Sequence, residues 1–250
     1  MSDDPYEGFA ERYDLFSETF DTHDPAIERF YRRLFAEHGV HRVLDCACGT
    51  GRDLALFHEL GCAVVGSDVS EAMLAQARIN LASAGLSIPL RQIDFRELPG
   101  HFDHPFDAVA CLSSSILHME DECEVLHAFL SIREVLRDGG ILVLTQGTTD
   151  RQWREKPRFI PAVMNRDFTR LFVIDYIGAG ARYNVLDIVH GETSREFKAW
   201  SIDYPMMLLR DDYVRLLNEA QFSTVDCYGS YAFSPYDPEQ SRLLIVVAER

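Results

Sequence analysis

The chain has 250 residues, of which 40 are Asp or Glu and 24 are Lys or Arg, so its formal net charge is −16. This acidity argues against a nucleic-acid partner, because proteins that bind the phosphate backbone need basic patches to displace counterions. Hydrophobic residues make up 47% of the chain, which excludes an intrinsically disordered protein and suffices for one large domain or two.

The composition predicts a cytoplasmic protein without a membrane partner. The first residues, MSDDPYEGFAERYD, are acidic and contain no apolar segment of the kind found in secretory signals. No stretch approaches the roughly 18 consecutive apolar residues of a membrane span. Most of the six cysteines lie in apolar runs, which is typical of reduced, buried thiols. Cys46 and Cys48 form a C-x-C pair without a second pair at zinc-ligand spacing, so no metal site is predicted.

Helical and strand-like segments alternate through the first 150 residues. Apolar periodicity predicts helices over 25–39, 53–60 and 120–136, and another that follows the N-cap residue Ser70. Short, continuously apolar runs predict strands at 42–45, 63–66, 90–93, 106–112 and 141–145. With two closing strands at 222–228 and 242–248, the predicted fold class is α/β: a doubly wound, mostly parallel, seven-stranded sheet.

After residue 150 the pattern changes to β-rich segments separated by short glycine-containing turns. Residues 170–177, 181–190 and 195–206 predict an inserted antiparallel three-stranded meander, and an amphipathic helix over 211–221 follows it. The predicted organisation is a core of residues 1–150 and 209–250, with 1–25 as an N-terminal lid. Residues 151–208 form the inserted β-rich subdomain that is expected to hold substrate or act as a lid.

The first predicted strand leads into a turn suited to a nucleoside ligand. The strand ends at Asp45, and the small residues that follow include Gly49 and Gly51, which let a ligand approach the backbone closely. The spacing is one residue tighter than the G-x-G-x-x-G of a dinucleotide site. A carboxylate at Asp45 repels phosphate and attracts an ammonium group. The turn therefore suits a nucleoside that carries an amino-acid tail better than a dinucleotide.

Two further acids end the next two strands. Asp68 lies 17 residues beyond Gly51, where a carboxylate can accept hydrogen bonds from both ribose hydroxyls. Asp94 ends the third strand, where it can meet the exocyclic amine of an adenine. A single acid at a strand end is commonly only solvated, but three in consecutive positions behind this glycine turn indicate a binding site.

These segments resemble the class I S-adenosylmethionine-dependent methyltransferases. VLDCACGTG is similar to their first motif, GSDVSEAML to their second-strand acid and helix, and FDAVACLSSSILHM to their fourth strand and its loop. Within that superfamily, the chain resembles the glycine N-methyltransferase-like group over nearly its whole length, including the run SREFKAWSIDYPMMLLRDDYVRLLNEAQF. The resemblance implies an S-adenosylmethionine-binding enzyme that methylates a small molecule.

The resemblance also implies cofactor roles for individual residues. Asp45 is expected near the methionine ammonium, and Asp68 on the ribose. The other implied cofactor contacts are Ala47, Gly49 and Gly51 through the backbone, Met73, Asp94 and Phe95 at the adenine, Leu112 and Ser113 at the methionine moiety, and Tyr6 and Tyr13 as closing aromatics. Met73 is equally compatible with a core position, and the two tyrosines with a hydrophobic anchor for the N-terminal segment.

One departure from the group concerns the acceptor. Glycine N-methyltransferases carry an Arg just after the fifth strand that grips the substrate carboxylate, whereas this chain reads Leu144-Thr145-Gln146-Gly147-Thr148 there. The leading hypothesis is methylation of an amine nitrogen. The alternatives are O-methylation with His118, which follows the fourth strand, as catalytic base, and a catalytically silent scaffold that binds the cofactor. The sequence leaves the acceptor and the oligomeric state open.

A basic segment, residues 151–170, interrupts the acidic chain. Six of the chain's 24 basic residues lie in these twenty positions: Arg151, Arg154, Lys156, Arg158, Arg166 and Arg170. One hypothesis is a lid that recruits an anionic substrate in place of the missing Arg, and the other is a solvated face. Aromatic residues of the meander are expected either to roof the pocket or to pack within the sheet: Tyr176, Tyr183, Trp200 and Tyr204.

Overall fold

The computed structural model describes residues 6–16, 20, 22–191 and 195–250. Parts of the predicted lid 1–25 and of the predicted turn that begins at Gly191 therefore lie outside the described residues. The described helices are α1 (Ala10–Tyr13), α2 (Pro25–His38), α3 (Arg52–Glu59), α4 (Glu71–Ser83), α5 (Glu122–Val135), α6 (Asp150–Glu155) and α7 (Arg210–Glu219). None of them is both long and apolar enough to cross a membrane.

Eleven strands of the described chain form two sheets. They are β1 (Arg42–Asp45), β2 (Ala63–Asp68), β3 (Leu90–Gln92), β4 (Phe106–Cys111), β5 (Leu136–Gln146), β6 (Phe159–Met164), β7 (Phe168–Ile177), β8 (Gly180–Val189), β9 (Glu196–Tyr204), β10 (Thr224–Tyr228) and β11 (Leu244–Glu249). Seven lie in the order β10-β11-β5-β4-β1-β2-β3. β1 to β5 pair in parallel, whereas β11 pairs antiparallel with both β5 and β10. The predicted fold class is confirmed.

Alternate residues of the central strands enter two separate hydrophobic cores. Leu44 of β1 packs in the core that contains α5 and α7 side chains, including Phe129. Its neighbour Val43 packs in the other core, with side chains of α2 and α3 that include Phe30 and Phe57. Successive side chains of a strand point to opposite faces, so both faces of this sheet are buried beneath helices.

The inserted sheet has four strands, so the prediction of three was wrong by one. Its order is β6-β7-β8-β9, and every pair is antiparallel. The additional strand, β6, contains Pro161, and the register of its pairing with β7 shifts between Pro161 and Val163. Proline lacks an N–H for the ladder and is confined to edges and bulges. β6 is such an edge strand, and its proline and basic neighbours hide the strand pattern in the sequence.

Candidate functional site

One cavity of about 990 Å³ lies where the carboxyl ends of the parallel strands meet. A segment that follows each strand from β1 to β5 contributes to its lining, and residues of the N-terminal segment and of the inserted sheet line it as well. These core segments are Cys46–Thr50, Asp68–Ser70, Asp94–Arg96, Leu112–Ser115 and Thr145–Thr148. Ligands of open α/β sheets bind at this edge, and the volume is in the range of small-molecule sites.

The glycine turn after β1 presents its backbone to the cavity. Gly49 has φ +52, a left-handed conformation that favours glycine, and a Cβ added there meets no atom within 4 Å. The amide of Cys48 donates to the carbonyl of Ser67 at 2.9 Å, which fixes the turn against β2. Ala47 and Gly49, which the resemblance implies as backbone contacts to the donor, both line the cavity.

Asp68 is held at the cavity edge by two backbone amides. Its Oδ2 accepts from the Gly49 N–H at 2.8 Å, and its Oδ1 accepts from the Ser70 N–H at 2.9 Å. The Ser70 hydroxyl accepts from the Met73 N–H at 3.1 Å, which confirms the predicted N-cap of α4. The carboxylate thus joins the glycine turn to the second strand, and Met73 lines the cavity although only 3% of it is exposed.

Two of the predicted cofactor residues do not line the cavity. Asp45 is 2% exposed and lies behind the turn, where its Oδ1 accepts from the Ala47 N–H at 3.3 Å. Burial, followed by repulsion from Asp53, raises the pKa of Asp45 well above its usual range. A Cβ on Gly51 would lie 3.3 Å from the Cβ of Ala77, so this glycine serves the close packing of the turn against α4.

Asp94 lines the cavity, but a neighbouring guanidinium occupies most of its acceptor positions. Arg96 donates to it through Nε at 3.1 Å, through Nη2 at 2.6 Å and through its backbone amide at 2.9 Å. Partial burial opposes ionisation of Asp94, but these bonds outweigh it and lower its pKa. Arg96 also donates to Glu124 at 2.8 Å. Phe95 lies beside this group and lines the cavity.

The segment after β4 reaches the cavity through two strained residues. Ser113 and Ser114 have φ of 56° and 69°, which is uncommon outside glycine. β5 holds them there, because the Ser113 N–H donates to Thr145 Oγ1 at 2.9 Å and the Ser114 N–H donates to the Thr145 carbonyl at 2.8 Å. Leu112 and Ser113 line the cavity where the sequence predicted them.

The described part of the N-terminal segment lies across the cavity. Tyr6, Phe9 and Tyr13 all line it. Asp14, which was not among the predicted site residues, anchors this segment to the core, since it accepts from the Thr50 hydroxyl at 2.6 Å and from the Asn80 amide at 2.8 Å. No local pattern marks Asp14 in the sequence, because its partners lie 36 and 66 residues away.

A buried ion pair in the inserted sheet holds the same N-terminal segment. Arg170 donates to Asp187 through Nε at 2.6 Å and Nη2 at 2.8 Å, and both side chains are fully buried. Arg170 also donates to the carbonyls of Arg12 at 2.8 Å and Tyr13 at 3.2 Å, while Arg12 donates to Asp187 at 3.0 Å. The pair thereby joins β7 and β8 to α1.

His118 lies beneath the N-terminal segment among aromatic rings. Its Nε2 is 2.9 Å from the Tyr6 hydroxyl, and its ring makes edge contacts with Tyr6 and Tyr204. Burial lowers the pKa of His118 to about 4, so the imidazole is neutral near pH 7 and a weak base. This environment suits a side chain that positions Tyr6 better than one that removes a proton from an alcohol.

The burial of His118 predicts a pH-dependent contribution to stability. Its folded pKa of about 4 lies below the usual 6.5, so the unfolded chain binds more protons between these values. The contribution is complete above about pH 6.5 and is lost as the pH falls. Between about pH 7 and pH 4, the free energy of unfolding of the wild type should fall by ~3 kcal/mol more than that of His118→Phe, as measured by denaturant unfolding. His104→Phe, at an exposed position, is the control, and a difference that stays constant would contradict the assignment.

The basic segment does not face the cavity. None of its six basic side chains lines the cavity in the described chain. Arg151, Arg154 and Arg158 pair with Glu155, Glu239 and Asp175. Lys156 lies over the Trp153 and Tyr176 rings. These contacts of the four residues favour a solvated face over a lid for anions, whereas Arg170 is buried in its ion pair with Asp187.

The cavity suits a nucleoside that carries an amino-acid tail. The glycine turn leaves room beside Gly49, the Asp68 carboxylate lies at the edge, and Met73 and Phe95 give an apolar wall for a base. These groups are those that S-adenosylmethionine requires for its ribose and adenine, so the residues present fit this methyl donor.

The proteins to which this chain is similar are methyltransferases, in agreement with the chemistry of the cavity. A family model described as a methyltransferase domain matches residues 43–140. A glycine/sarcosine N-methyltransferase from Aphanothece halophytica is 30% identical over 98% of this chain and 89% of its own length. An S-adenosylmethionine-dependent methyltransferase structure from Clostridium acetobutylicum superposes with a TM-score of 0.81 over 98% and 99% of the two chains, at 16% identity. A sugar N-methyltransferase from a Streptoalloteichus species superposes with a TM-score of 0.70 over 95% and 92%, at 25% identity.

These relatives confirm the predicted enzyme class and methyl donor, and they favour an enzyme over a silent scaffold. The chain belongs to the S-adenosylmethionine-dependent methyltransferases, in the group that resembles the glycine/sarcosine N-methyltransferases.

Proposed function

We propose that this enzyme transfers the methyl group of S-adenosylmethionine to the nitrogen of a small-molecule amine. The observation that carries the proposal is the chemistry of one side of the cavity, here called the acceptor wall. It consists of the cavity-lining residues between positions 146 and 204: Gln146, Gly147, Thr148, Gln152, Ile160, Phe172, Tyr183, Val185, Ile202 and Tyr204. This wall contains no Asp, Glu, Lys or His, and the adjacent His118 is a weak base with a pKa of about 4.

An amine acceptor needs no catalytic base, because its neutral form already carries the attacking lone pair. S-adenosylmethionine, when bound, supplies a methyl group on positively charged sulfur; the nitrogen lone pair forms the C–N bond as the C–S electron pair returns to sulfur. The methylated nitrogen loses its proton to solvent water after the product has left the cavity. The residues of the acceptor wall align the amine and exclude water, which are the main contributions an enzyme makes to such a displacement.

We also propose individual roles on the donor side. Asp68 accepts hydrogen bonds from the ribose hydroxyls, and the turn at Ala47 and Gly49 lies along the methionine moiety. Met73 and Phe95 contact the adenine, while Leu112, Ser113 and Tyr13 border the remaining donor surface. Asp94 contacts the adenine amine only through the acceptor positions that Arg96 leaves free.

O-methylation with His118 as catalytic base is the less favoured alternative. An alcohol or phenol must lose its proton as it attacks, and a base with a pKa of about 4 promotes that step poorly near neutral pH. The test is a screen of small amines, alcohols and phenols with S-adenosylmethionine, in which S-adenosylhomocysteine is measured. Turnover confined to amines is expected, and turnover confined to alcohols or phenols that disappears in His118→Phe would overturn the proposal.

We further propose that residues 1–150 and 209–250 bind the methyl donor, with 1–25 as a lid, and that 151–208 supply most of the acceptor wall, the rest coming from the segment 146–148. Lining residues from β6 to β9 support this division.

We also propose that the enzyme is located in the cytoplasm. The six cysteines are free thiols and four of them are buried, which is typical of proteins in a reducing compartment.

A further inference from the structure

The charges that line the cavity are confined to its donor side. Four acids and two arginines line the described cavity, and the lid and the core elements supply all of them: Asp14, Asp53, Asp68, Asp94, Arg52 and Arg96. Arg96 is paired with Asp94 and Glu124. Arg52 begins the helix that follows the glycine turn. The acceptor wall faces the substrate with uncharged side chains alone.

This distribution opposes an amino-acid substrate. A carboxylate placed against the acceptor wall would lose its hydration without gaining a cation, which costs several kcal/mol. The segment Leu144–Thr148, where the resemblance places the carboxylate-binding Arg of the glycine N-methyltransferases, contains no Arg, and its Gly147 lines the cavity. The nearby basic residues Arg151 and Arg158 are paired with acids outside the cavity. The acceptor wall therefore offers no cationic partner to the carboxylate of glycine or sarcosine.

The acceptor wall instead offers hydrogen bonds to an uncharged polar group. The Tyr183 hydroxyl lies 2.6 Å from Thr148 Oγ1 and accepts from the Gln152 amide at 3.0 Å. If Tyr183 donates to Thr148, the Thr148 hydroxyl hydrogen is left over, and if Thr148 donates, the Tyr183 hydrogen is left over. In either orientation one hydroxyl hydrogen and the Oε1 of Gln152 lack a partner among the described residues. One donor beside one acceptor matches the hydrogen-bonding capacity of an alcohol.

Thr148 and Tyr183 are held in place by neighbouring residues. Thr148 is 4% exposed, and its carbonyl accepts from the buried Gln146 amide at 2.6 Å. Tyr183 also makes edge contacts with the Phe172 and Tyr204 rings, which present flat apolar surfaces beside it. A fixed polar group within an aromatic wall recognises a substrate that has one hydroxyl on an apolar body.

We propose that the acceptor is an amine that carries a hydroxyl group and no carboxylate, and that Thr148, Gln152 and Tyr183 bind this hydroxyl. The proposal rests on the proposed N-methyltransferase function and names the substrate class of that site.

The test compares three amines that differ in one substituent: L-phenylalaninol, 2-phenylethylamine and L-phenylalanine. Their binding is measured by calorimetry with the enzyme saturated with S-adenosylhomocysteine, so the result does not depend on turnover. L-phenylalaninol should bind roughly fivefold more tightly than 2-phenylethylamine, which is the contribution of about one hydrogen bond. L-phenylalanine should bind at least about tenfold more weakly than the alcohol. Equal or tighter binding of L-phenylalanine, or binding of none of the three, would overturn the proposal.

Variants separate recognition of the hydroxyl from a structural role. Tyr183→Phe and Thr148→Val should reduce the affinity for L-phenylalaninol to that for 2-phenylethylamine, which should itself change less than about twofold. Tyr176→Phe is the matched control, because its hydroxyl donates to the Pro157 carbonyl at 3.0 Å and does not line the cavity. Equal weakening of all three amines in both variants would show a structural role and contradict the proposal.

Adding a cation to the acceptor wall should reverse the preference. A Cβ on Gly147 meets no atom within 4 Å, so Gly147→Arg has room for its side chain. This variant should bind L-phenylalanine roughly tenfold more tightly than wild type does, through a charge-assisted hydrogen bond. The failure of the two proposals can be distinguished. If S-adenosylmethionine binds but no amine is methylated, the proposed function is wrong. The relative affinities of the three amines test the substrate class independently of methylation.

Discussion

Replacing Asp68 with Ala is expected to weaken S-adenosylmethionine binding roughly 10- to 100-fold, because each hydrogen bond to a charged group contributes about 1.5–3 kcal/mol. The carboxylate is fixed by the Gly49 and Ser70 amides and lies on the cavity wall. Removing it takes away the proposed ribose acceptor and frees the glycine turn. Calorimetric titration of the purified variant measures the change in Kd directly.

Two controls separate ligand contact from loss of fold. Asp103→Ala removes an exposed carboxylate that does not line the cavity and should leave the Kd unchanged. Denaturant unfolding of ligand-free Asp68→Ala should show a folded protein, since the lost bonds lie at one turn of a well-packed sheet. A folded Asp68→Ala variant that binds S-adenosylmethionine as tightly as wild type would contradict the proposed role of Asp68.

Asp187→Asn is expected to lower the free energy of unfolding by about 3–5 kcal/mol, the usual effect of leaving a buried charge without its partner. The carboxylate accepts two bonds from the buried Arg170 and one from Arg12. An amide of the same shape cannot neutralise the guanidinium. The loss should also loosen α1, because Arg170 binds the carbonyls of Arg12 and Tyr13.

The inserted sheet supplies a matched control for this variant. Arg182 and Asp203 form a bidentate pair with similar distances of 2.6 and 2.9 Å, but their side chains are 48% and 57% exposed. Asp203→Asn should therefore cost no more than about 1 kcal/mol. Denaturant unfolding of both variants makes the comparison. An equal decrease in the free energy of unfolding of the two variants would show that burial of the Arg170–Asp187 pair does not increase its contribution to stability.

The same pair gives a pH dependence of defined sign. Burial opposes the ionisation of Asp187, but bonds from Arg170 and Arg12 outweigh it and lower its pKa. Its contribution to stability is therefore present above the unfolded pKa of a carboxyl group and is lost as the pH falls through the lower folded value. Asp187→Asn should remove this part of the acid sensitivity.

The sequence predicts the features that depend on local pattern. Alternating helices and apolar strands fix the seven-stranded sheet, and the glycine turn with Asp68 and Asp94 locates the cavity, because parallel strands end at one edge. Ten of the twelve residues predicted to contact the donor line that cavity. Asp45 and Gly51 do not, since Asp45 is buried at the end of β1 and Gly51 packs against α4, and residue spacing alone does not distinguish the two sides of a turn.

Features that depend on contacts between residues far apart in the chain could not be predicted from local sequence pattern. Arg170 belongs to a segment that looks like a solvated basic patch, yet its partner Asp187 lies 17 residues away across a strand pair and buries it. Tyr183 and Thr148 are 35 residues apart in the sequence, and only the fold brings β8 against the segment that follows β5. Periodicity also missed β6, because a proline in an edge strand breaks the apolar alternation on which the prediction depends.

The central claim is methyl transfer to an amine nitrogen, and one measurement tests it most directly. The enzyme is incubated with S-adenosylmethionine carrying a carbon-13 methyl group and with L-phenylalaninol, which offers both a nitrogen and an oxygen, and the product is examined by NMR. The expected result is a labelled methyl group on nitrogen, formed with an equal amount of S-adenosylhomocysteine. A labelled methyl group on oxygen, or no product from an enzyme shown to bind S-adenosylmethionine, would contradict it.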